Sequence, residues 1–272
     1  MTLSNRKILR TLLCLLAGTL YAVCLSACGA KEPLSENRDA EIESPVIAND
    51  LSNQKVTAIA EDTQGHIWIG TFRGLNKNNV HDYHQYFCTD DSLGLPDNQI
   101  THLLRDSKNR FWVGTVNGVC LYTDKDNFRI IPIEADNKNV RQILEDRNGR
   151  IFLNTGFQLY AYHPREEKIT CVLPEISPGN AFYAQCHIAP DNNLWVMTST
   201  GLRCYDPSTL QLKESVALSG YPYYSYLHNN ELWITGNHTL SIFDTRTRSF
   251  KPLPQPIARN TTLCNADIDY IH

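Results

Sequence analysis

The amino-acid sequence predicts an all-β fold: a β-propeller of about five four-stranded blades, followed by the first strand of a sixth. Three observations predict it. An aromatic residue recurs about every 40 residues, strand-like runs flank each recurrence, and turn residues separate the runs. The 272 residues are 42% hydrophobic and 20% charged, which is ordinary for a globular protein, so a core of normal size is expected.

Five copies of one 14-residue pattern carry the repeat. They are DTQGHIWIGTFRGL (62–75), DSKNRFWVGTVNGV (106–119), DRNGRIFLNTGFQL (146–159) and the more degenerate APDNNLWVMTSTGL (189–202) and LHNNELWITGNHTL (227–240). The aromatic anchors follow at intervals of 44, 40, 43 and 38 residues: Trp68, Trp112, Phe152, Trp195 and Trp233. A phosphate-binding loop is excluded in the first copy because the residues after Gly74 have poor helix propensity.

Each copy has the same internal order. A partly alternating run such as KVTAIAED predicts a first strand, and a turn of residues that tolerate positive φ leads into a second strand with the aromatic anchor. A second turn leads into a third run such as VCLYT, and a fourth run such as FRIIPI completes the unit. Four short strands per 40 residues are typical of propeller blades, so we expect each aromatic anchor to be wedged between neighbouring blades.

The N-terminal residues differ in composition from the repeats. Basic residues precede the apolar run TLLCLLAGTLYAVCLSAC, as in an export signal. The run ends in a sequence that resembles the lipobox of bacterial lipoproteins, in which Cys28 would be lipidated; an uncleaved membrane anchor is the alternative. We therefore assign residues 1–28 to a signal peptide, lipobox-like segment or membrane anchor, 29–50 to a polar linker, and 51–272 to partial propeller repeats.

The first copy resembles the two-component regulator propeller repeat, Asp-x-x-Gly-x-x-Trp-x-Gly-Thr-x-x-Gly-Leu. The second copy has Asn109 for the first Gly, and the third has Phe152, Asn154 and Gln158 at three positions of the pattern. The family forms the periplasmic sensor regions of hybrid histidine kinases, best known in gut Bacteroidetes, where these sensors switch on polysaccharide-utilisation genes. The resemblance covers residues 51 to 258.

The resemblance implies an exported, membrane-tethered sensor on the periplasmic side. Its ligand would be a glycan or oligosaccharide, and its kinase would lie outside these 272 residues. Residues 261–272, TTLCNADIDYIH, resemble the first strand of a sixth blade. Because a propeller must close, we expect the chain to be the N-terminal piece of a longer product. Further blades and the kinase module, in the same or an adjacent gene product, would then be its partners, and a homodimer is also open to it.

Candidate ligand-binding residues belong to the face where the second-to-third-strand loops and the starts of the first strands emerge. Aromatic, amide and guanidinium groups there suit the apolar face and the hydroxyl rim of a sugar, although strand packing is an alternative role for the tyrosines. The candidates are Phe72, Arg73, Asn98, Asn117, Tyr183, Tyr223, Tyr224 and His238, with Gln99 and Phe157 on the same face.

We expect no catalytic residues, no metal and no cofactor in this chain. No Ser-His-Asp or Cys-His signature is present, and the HxxH spacing of His81 and His84 lacks a third ligand. The aspartates that open the first three copies fit turn capping better than calcium binding. A net charge of -4 gives no basic surface for nucleic acid.

Two other classes of protein remain open on this sequence. One is a membrane-tethered propeller lipoprotein that acts as a binding or assembly scaffold. The other, less favoured, is a propeller enzyme acting on polysaccharide, which would need paired carboxylates on the channel face. Six cysteines lie outside the export segment, and their wide spacing favours small buried hydrophobes over disulfides.

Overall fold

The computed structural model describes residues 45–89, 94–123, 125–176, 184–237 and 239–259. Within these ranges the chain forms five antiparallel sheets, each from one consecutive stretch of sequence. The predicted all-β propeller fold is confirmed. A four-residue helix, α1 (Gln255–Ala258), follows the last strand. In the described ranges, none of the helices has the length and apolar character needed to cross a membrane.

Sheets 1 and 2 come from the first two copies of the repeat. The strands of sheet 1 are β1 (Val46–Ala48), β2 (Val56–Glu61), β3 (Ile67–Thr71), β4 (Gly74–Asn78) and β5 (Tyr83–Tyr86). The strands of sheet 2 are β6 (Ile100–Arg105), β7 (Phe111–Thr115), β8 (Gly118–Thr123) and β9 (Asn127–Ile131). Sheet 2 keeps its strands in sequence order, whereas sheet 1 has the order β1-β5-β4-β3-β2.

Sheets 3, 4 and 5 each have four strands in sequence order. Sheet 3 contains β10 (Gln142–Glu145), β11 (Ile151–Asn154), β12 (Leu159–His163) and β13 (Lys168–Leu173). Sheet 4 contains β14 (Gln185–Ile188), β15 (Leu194–Thr198), β16 (Gly201–Tyr205) and β17 (Leu212–Ala217). Sheet 5 contains β18 (Pro222–His228), β19 (Glu231–Gly236), β20 (Thr239–Asp244) and β21 (Ser249–Lys251).

Strand β1 is an addition to the four-stranded pattern. It pairs antiparallel with β5 at the edge of sheet 1, with Ile47 opposite His84. The strand lies within residues 29–50, which the sequence assigns to the linker, so the structure differs from the prediction at this boundary. Three residues are too few to show the alternation that marks a strand, and β1 is held by backbone pairing.

The turn between the first and second strands of each sheet has one residue with positive φ. Gly and Asn tolerate this conformation, and one of them is the positive-φ residue in each of the five copies. The residues and φ values are Gly65 (83°), Asn109 (62°), Gly149 (72°), Asn192 (66°) and Asn229 (55°). The turn chemistry of the sequence therefore sets the tight hairpins that separate the strands.

The aromatic anchors pack each sheet against the next. The Trp68 ring lies 5.0 Å from Phe111 and 4.7 Å from Tyr122, both of sheet 2. Trp112 and Trp195 are equally buried. The Trp112 ring lies 4.9 Å from that of Tyr162 in sheet 3, and the Trp195 ring lies 5.1 Å from that of Phe243 in sheet 5. Phe152 is 1% exposed and belongs to the cluster that sheets 3 and 4 share. Contact between these large side chains thus joins the sheets.

The two ends of the row of sheets expose apolar side chains. Trp233 of sheet 5 is only half-buried, since no later sheet follows it in the described residues. On the first sheet, Ile59 is 65% exposed and Ile67 is 38% exposed. Residues 261–272, which the sequence assigns to a further strand, lie outside the described residues, as does Cys28.

The cysteines divide into buried and exposed groups. Cys120, Cys186 and Cys204 are buried in strands, as small apolar residues are, and burial raises the pKa of the Cys186 thiol to about 12. Cys88, which follows β5, and Cys171, which lies on β13, are exposed. All five are free thiols, and Cys264 lies outside the described residues.

Candidate functional site

The first strands of the five sheets surround one central cavity of about 470 Å³. Consecutive first strands contact one another, from β2 through β6, β10 and β14 to β18. Each sheet therefore contributes its innermost strand to the wall. The lining residues are Thr57, Ala58, Ile59, Thr101, His102, Leu103, Arg141, Gln142, Ala184, Gln185, Tyr223 and Tyr224.

β-Bulges direct three of these side chains. The pairing of β2, β6 and β18 with their second strands shifts register around Thr57, Thr101 and Tyr223. A bulge adds one residue to a strand and re-aims its side chain, and bulges are frequent beside functional sites. Arg141 and Ala184, just before β10 and β14, line the cavity from the other two sheets. Each of the five sheets thus contributes to the wall a residue at, or just before, the start of its first strand.

The cavity wall combines hydrogen-bonding groups with aromatic rings. The Thr57 hydroxyl oxygen is buried and has no hydrogen-bond partner within the described part of the chain. The Thr101 hydroxyl donates to the Val140 carbonyl of the next sheet. Arg141 is the only arginine or lysine among the described lining residues, and none of these residues carries a carboxylate. A neutral or acidic ligand with several hydroxyl groups would suit this wall.

Two glutamines tie neighbouring inner strands together. The Gln142 side-chain oxygen accepts a hydrogen bond from the Cys186 backbone N–H at 2.9 Å. The Gln185 side-chain oxygen accepts from both the backbone N–H and the hydroxyl of Ser225, at 2.6 Å and 2.9 Å. These amides hold β10, β14 and β18 in register, so a ligand would meet a wall that is already ordered.

Two histidines lie on the inner strands. Burial lowers the pKa of His102 and of His187 to about 4, so both are neutral near pH 7. The His187 Nε2 atom lies 2.8 Å from the Ser225 hydroxyl, which itself donates to Gln185. His187 Nε2 must therefore carry the hydrogen and donate it. This is the reverse of the arrangement in which a histidine base activates a serine.

The structure brings only some of the predicted site residues together. Tyr223 and Tyr224 line the central cavity. Phe72 and Arg73 are exposed loop residues outside that lining; the Lys55 ammonium lies 3.7 Å from the centre of the Phe72 ring. Tyr183 and His238 lie outside the described residues.

Four further predicted residues also lie outside the cavity lining: Asn98, Gln99, Asn117 and Phe157. The Asn98 side-chain oxygen accepts from the Cys88 N–H at 2.7 Å, and its carbonyl accepts from the Gly74 N–H at 2.7 Å. Asn117 is exposed in the turn between β7 and β8. The carbonyls of Gln99 and Phe157 accept backbone hydrogen bonds. Asn98 therefore braces the loop between sheets 1 and 2.

Sequence reasoning missed most of the cavity wall. Thr57, Thr101 and Arg141 each stand eleven residues before the aromatic anchor of their copy. That constant offset is the signal that identifies them, because equivalent positions of a repeat occupy equivalent places around the axis. The bulge that re-aims the threonine side chains leaves no mark in the hydrophobic pattern.

The family comparison agrees with the resemblance in the sequence. Residues 50–73 and 94–117 match the family model described as two component regulator propeller. Each matched segment spans the first and second strands of a sheet and the turn after them. These two segments are therefore repeats of the two-component regulator propeller family. No curated protein sequence matches the chain.

Solved structures share the propeller fold at low sequence identity. Virginiamycin B lyase from Staphylococcus aureus is 18% identical with a TM-score of 0.59, over 79% of this chain and 75% of that one. A streptogramin B lyase is 18% identical with a TM-score of 0.57, over 79% and 76%. A protein described as the extracellular domain of a hybrid two component system from B. thetaiotaomicron is 15% identical, with a TM-score of 0.47. The match covers 77% of this chain but 37% of that domain's length.

Proposed function

We propose that this chain is the extracytoplasmic ligand-sensing propeller region of a hybrid two-component sensor histidine kinase. It recognises a glycan in the central cavity and signals to a kinase that these residues do not contain. The observation that carries the proposal is the convergence of five inner strands on one cavity with hydroxyl, amide, guanidinium and tyrosine groups. The family of the first two repeats supports the sensor role.

The lining suits a sugar better than an apolar ligand. A sugar ring presents C–H groups that pack on a tyrosine face and hydroxyls that need several partners. Tyr223 and Tyr224 supply the aromatic surface, and the Gln142 and Gln185 side-chain amides supply polar groups in the same lining. Arg141 adds a donor that would bind a hydroxyl or a carboxylate of the sugar.

Binding rather than catalysis is the role that the lining supports. A propeller glycosidase would need two carboxylates on the cavity wall, and the described lining residues include none. His187 donates to Ser225 and so does not act as its base. We therefore propose ligand binding as the role of the cavity and place the kinase activity in a separate part of the full-length product.

Signalling requires the ligand to favour one arrangement of the protein over another. A ligand that contacts several inner strands at once would stabilise one spacing of the sheets, which the bonds of Gln142 and Gln185 already couple. The change would pass to further blades, to the kinase module or to a second copy of the chain. The export-like segment in residues 1–28 is consistent with a tethered position on the periplasmic side.

A glycan array probed with the purified chain, followed by calorimetric titration of the best oligosaccharide, tests this proposal. We expect saturable binding that Tyr223→Ala weakens at least tenfold, because the apolar face of the sugar can no longer pack on the tyrosine ring. Tyr221→Ala is the matched control, since Tyr221 is 59% exposed and outside the cavity lining. Absence of binding to every glycan, or equal losses in the two variants, would contradict the proposal.

A further inference from the structure

A second cavity lies between sheets 1 and 2, away from the central one. We use the word seam for the boundary between two consecutive sheets. The cavity in the seam of sheets 1 and 2 has a volume of about 420 Å³ and lies beside the turn between β2 and β3. Because each seam joins two copies of the same repeat, its hydrogen bonds can be compared position by position with those of the next two seams.

In the next two seams, the following sheet supplies an acceptor to a turn N–H. The Ser107 N–H donates to a Glu145 carboxylate oxygen at 2.8 Å, and the Ser107 hydroxyl donates to the other oxygen at 2.5 Å. The Arg147 N–H donates to the Asn192 side-chain oxygen at 2.8 Å. Sheets 2 and 3, and sheets 3 and 4, are thus joined by a side-chain oxygen at equivalent turns.

The seam of sheets 1 and 2 lacks this acceptor. Thr63 holds the position of Ser107, and its N–H makes no hydrogen bond within the described residues. Arg105 holds the position of Glu145, and a guanidinium can only donate; one of its N–H groups bonds the Asp62 carbonyl at 3.0 Å. Asn109, at the position of Asn192, lines the cavity without bonding Thr63. The Thr63 N–H therefore receives no acceptor from the following sheet within the described residues.

A lysine also replaces an apolar residue beside the aromatic anchor. Lys77 pairs with Trp68 across β3 and β4, where the equivalent positions in the next three sheets hold Leu121, Ala161 and Cys204. The Lys77 ammonium lies 5.3 Å from the Trp68 ring centre and 5.5 Å from that of Tyr122. It lines the cavity together with the exposed Lys125.

The two carboxylates in the lining are already engaged. Asp62 accepts from the Trp68 indole N–H at 2.9 Å and from the Gln64 N–H at 2.8 Å. Asp126 accepts from the hydroxyls of Tyr86 and Tyr122, at 2.6 Å and 2.9 Å. Burial opposes ionisation of both groups, but the hydrogen bonds outweigh it and hold the pKa of each below its ordinary value. With both ionised, three cations still exceed two carboxylates in the lining.

We propose that this seam cavity binds an oxyanionic group: a carboxylate, a sulfate or a phosphate. Its oxygens take the place that the Glu145 carboxylate holds in the next seam and accept from the Thr63 N–H and the Arg105 guanidinium. Lys77 and Lys125 supply further positive charge, and Asn109 a side-chain amide. The site is separate from the central cavity and does not depend on the function proposed for that cavity.

Nuclear magnetic resonance titration of the ¹⁵N-labelled chain with sodium sulfate and with sodium glucuronate, at constant ionic strength, tests the site directly. We expect a saturable shift of the Thr63 amide resonance with at least one of the two anions. Binding of glucuronate as tight as that of sulfate or tighter would indicate a sugar-borne anion, and binding of sulfate alone an inorganic oxyanion or a sulfate ester. No saturable shift of Thr63 with either anion would overturn the proposal.

Three variants separate the site from general charge effects. Arg105→Glu introduces the residue of the next seam, so we expect the Thr63 amide to be occupied internally and the anion affinity to fall at least tenfold. Arg147→Glu, the same charge change on an exposed turn residue of sheet 3, is the matched control and should leave the affinity within twofold. Lys77→Leu, which places the residue type of Leu121 at the equivalent position, should stay folded and weaken binding severalfold. Equal losses in Arg105→Glu and Arg147→Glu would also overturn the site.

Discussion

A missing aspartate in the fourth copy of the repeat provides a direct test of what the aspartates do. The Asp62 and Asp106 carboxylates accept hydrogen bonds from the Trp68 and Trp112 indole N–H groups, at 2.9 Å and 2.8 Å. The fourth copy has Ala189 at this position, and the buried Trp195 indole N–H has no hydrogen-bond partner in the described part of the chain. We predict that Ala189→Asp combined with Asn193→Arg stabilises the protein.

The expected gain follows from the second copy. There Arg110 pairs with the Asp106 carboxylate at 2.6 Å, and Asn193 stands at the position of Arg110. A buried unsatisfied N–H costs about 1–3 kcal/mol, and a hydrogen bond to a charged group is worth about 1.5–3 kcal/mol. Burying the new carboxylate offsets part of this, so we expect a net gain of about 2 kcal/mol for the double variant. Ala189→Asp alone should gain less, because its charge lacks the arginine.

Urea denaturation, which gives the free energy of unfolding, measures the change. Asp106→Ala is the converse variant: it leaves both the Trp112 N–H and Arg110 without the carboxylate, and should cost about 3–5 kcal/mol. A folded double variant that is no more stable than the wild type would refute the reasoning. So would an Asp106→Ala variant of wild-type stability.

Three further predictions concern packing, pH and backbone conformation. Trp68→Ala should cost about 3–5 kcal/mol of unfolding free energy, and Trp233→Ala distinctly less, because Trp233 is only half-buried; equal costs in urea denaturation would contradict the packing described here. His102 and His187 have pKa values of about 4 against an ordinary 6.5, so their contribution to the free energy of unfolding is complete above pH 6.5 and is lost as the pH falls towards 4. The loss is up to about 3 kcal/mol for each residue, reduced by water in the cavity, and unfolding curves of a His187→Gln variant should depend less on pH in that range. Gly74→Ala should lower the thermal midpoint, because φ is 107° and a Cβ atom would lie 2.9 Å from the Phe87 ring; an unchanged midpoint would contradict this.

The sequence predicts the sheets because their determinants are local. Alternation marks the strands, positive-φ residues such as Asn109 mark the turns, and the interval between aromatic anchors marks the repeat. Strand β1 escapes this reasoning because three residues joined to β5 by backbone pairing carry no period. The half-buried state of Trp233 also depends on what packs beside sheet 5, and its own sequence does not encode that.

The candidate site was less accessible to sequence reasoning. Tyr223 and Tyr224 stand out as aromatic residues at the start of a first strand, and they do line the cavity. Thr57 and Thr101 are inconspicuous in sequence, and only the register shifts next to them aim them at the axis. The seam cavity depends on Arg105 bonding the Asp62 carbonyl of the preceding sheet and lining the same cavity as Thr63, an arrangement of two copies that becomes visible only when they are compared in space.

Hydrogen–deuterium exchange of the chain with its best oligosaccharide bound tests the central claim most directly, since it reports where the ligand lies. The account predicts slower exchange of amides in the inner strands, around Thr57, Thr101, Arg141 and Tyr223. It predicts no such slowing in the Tyr223→Ala variant at an oligosaccharide concentration too low to occupy its weakened site. Protection confined to the outer strands β1, β9, β13, β17 and β21, with none in the inner strands, would contradict it.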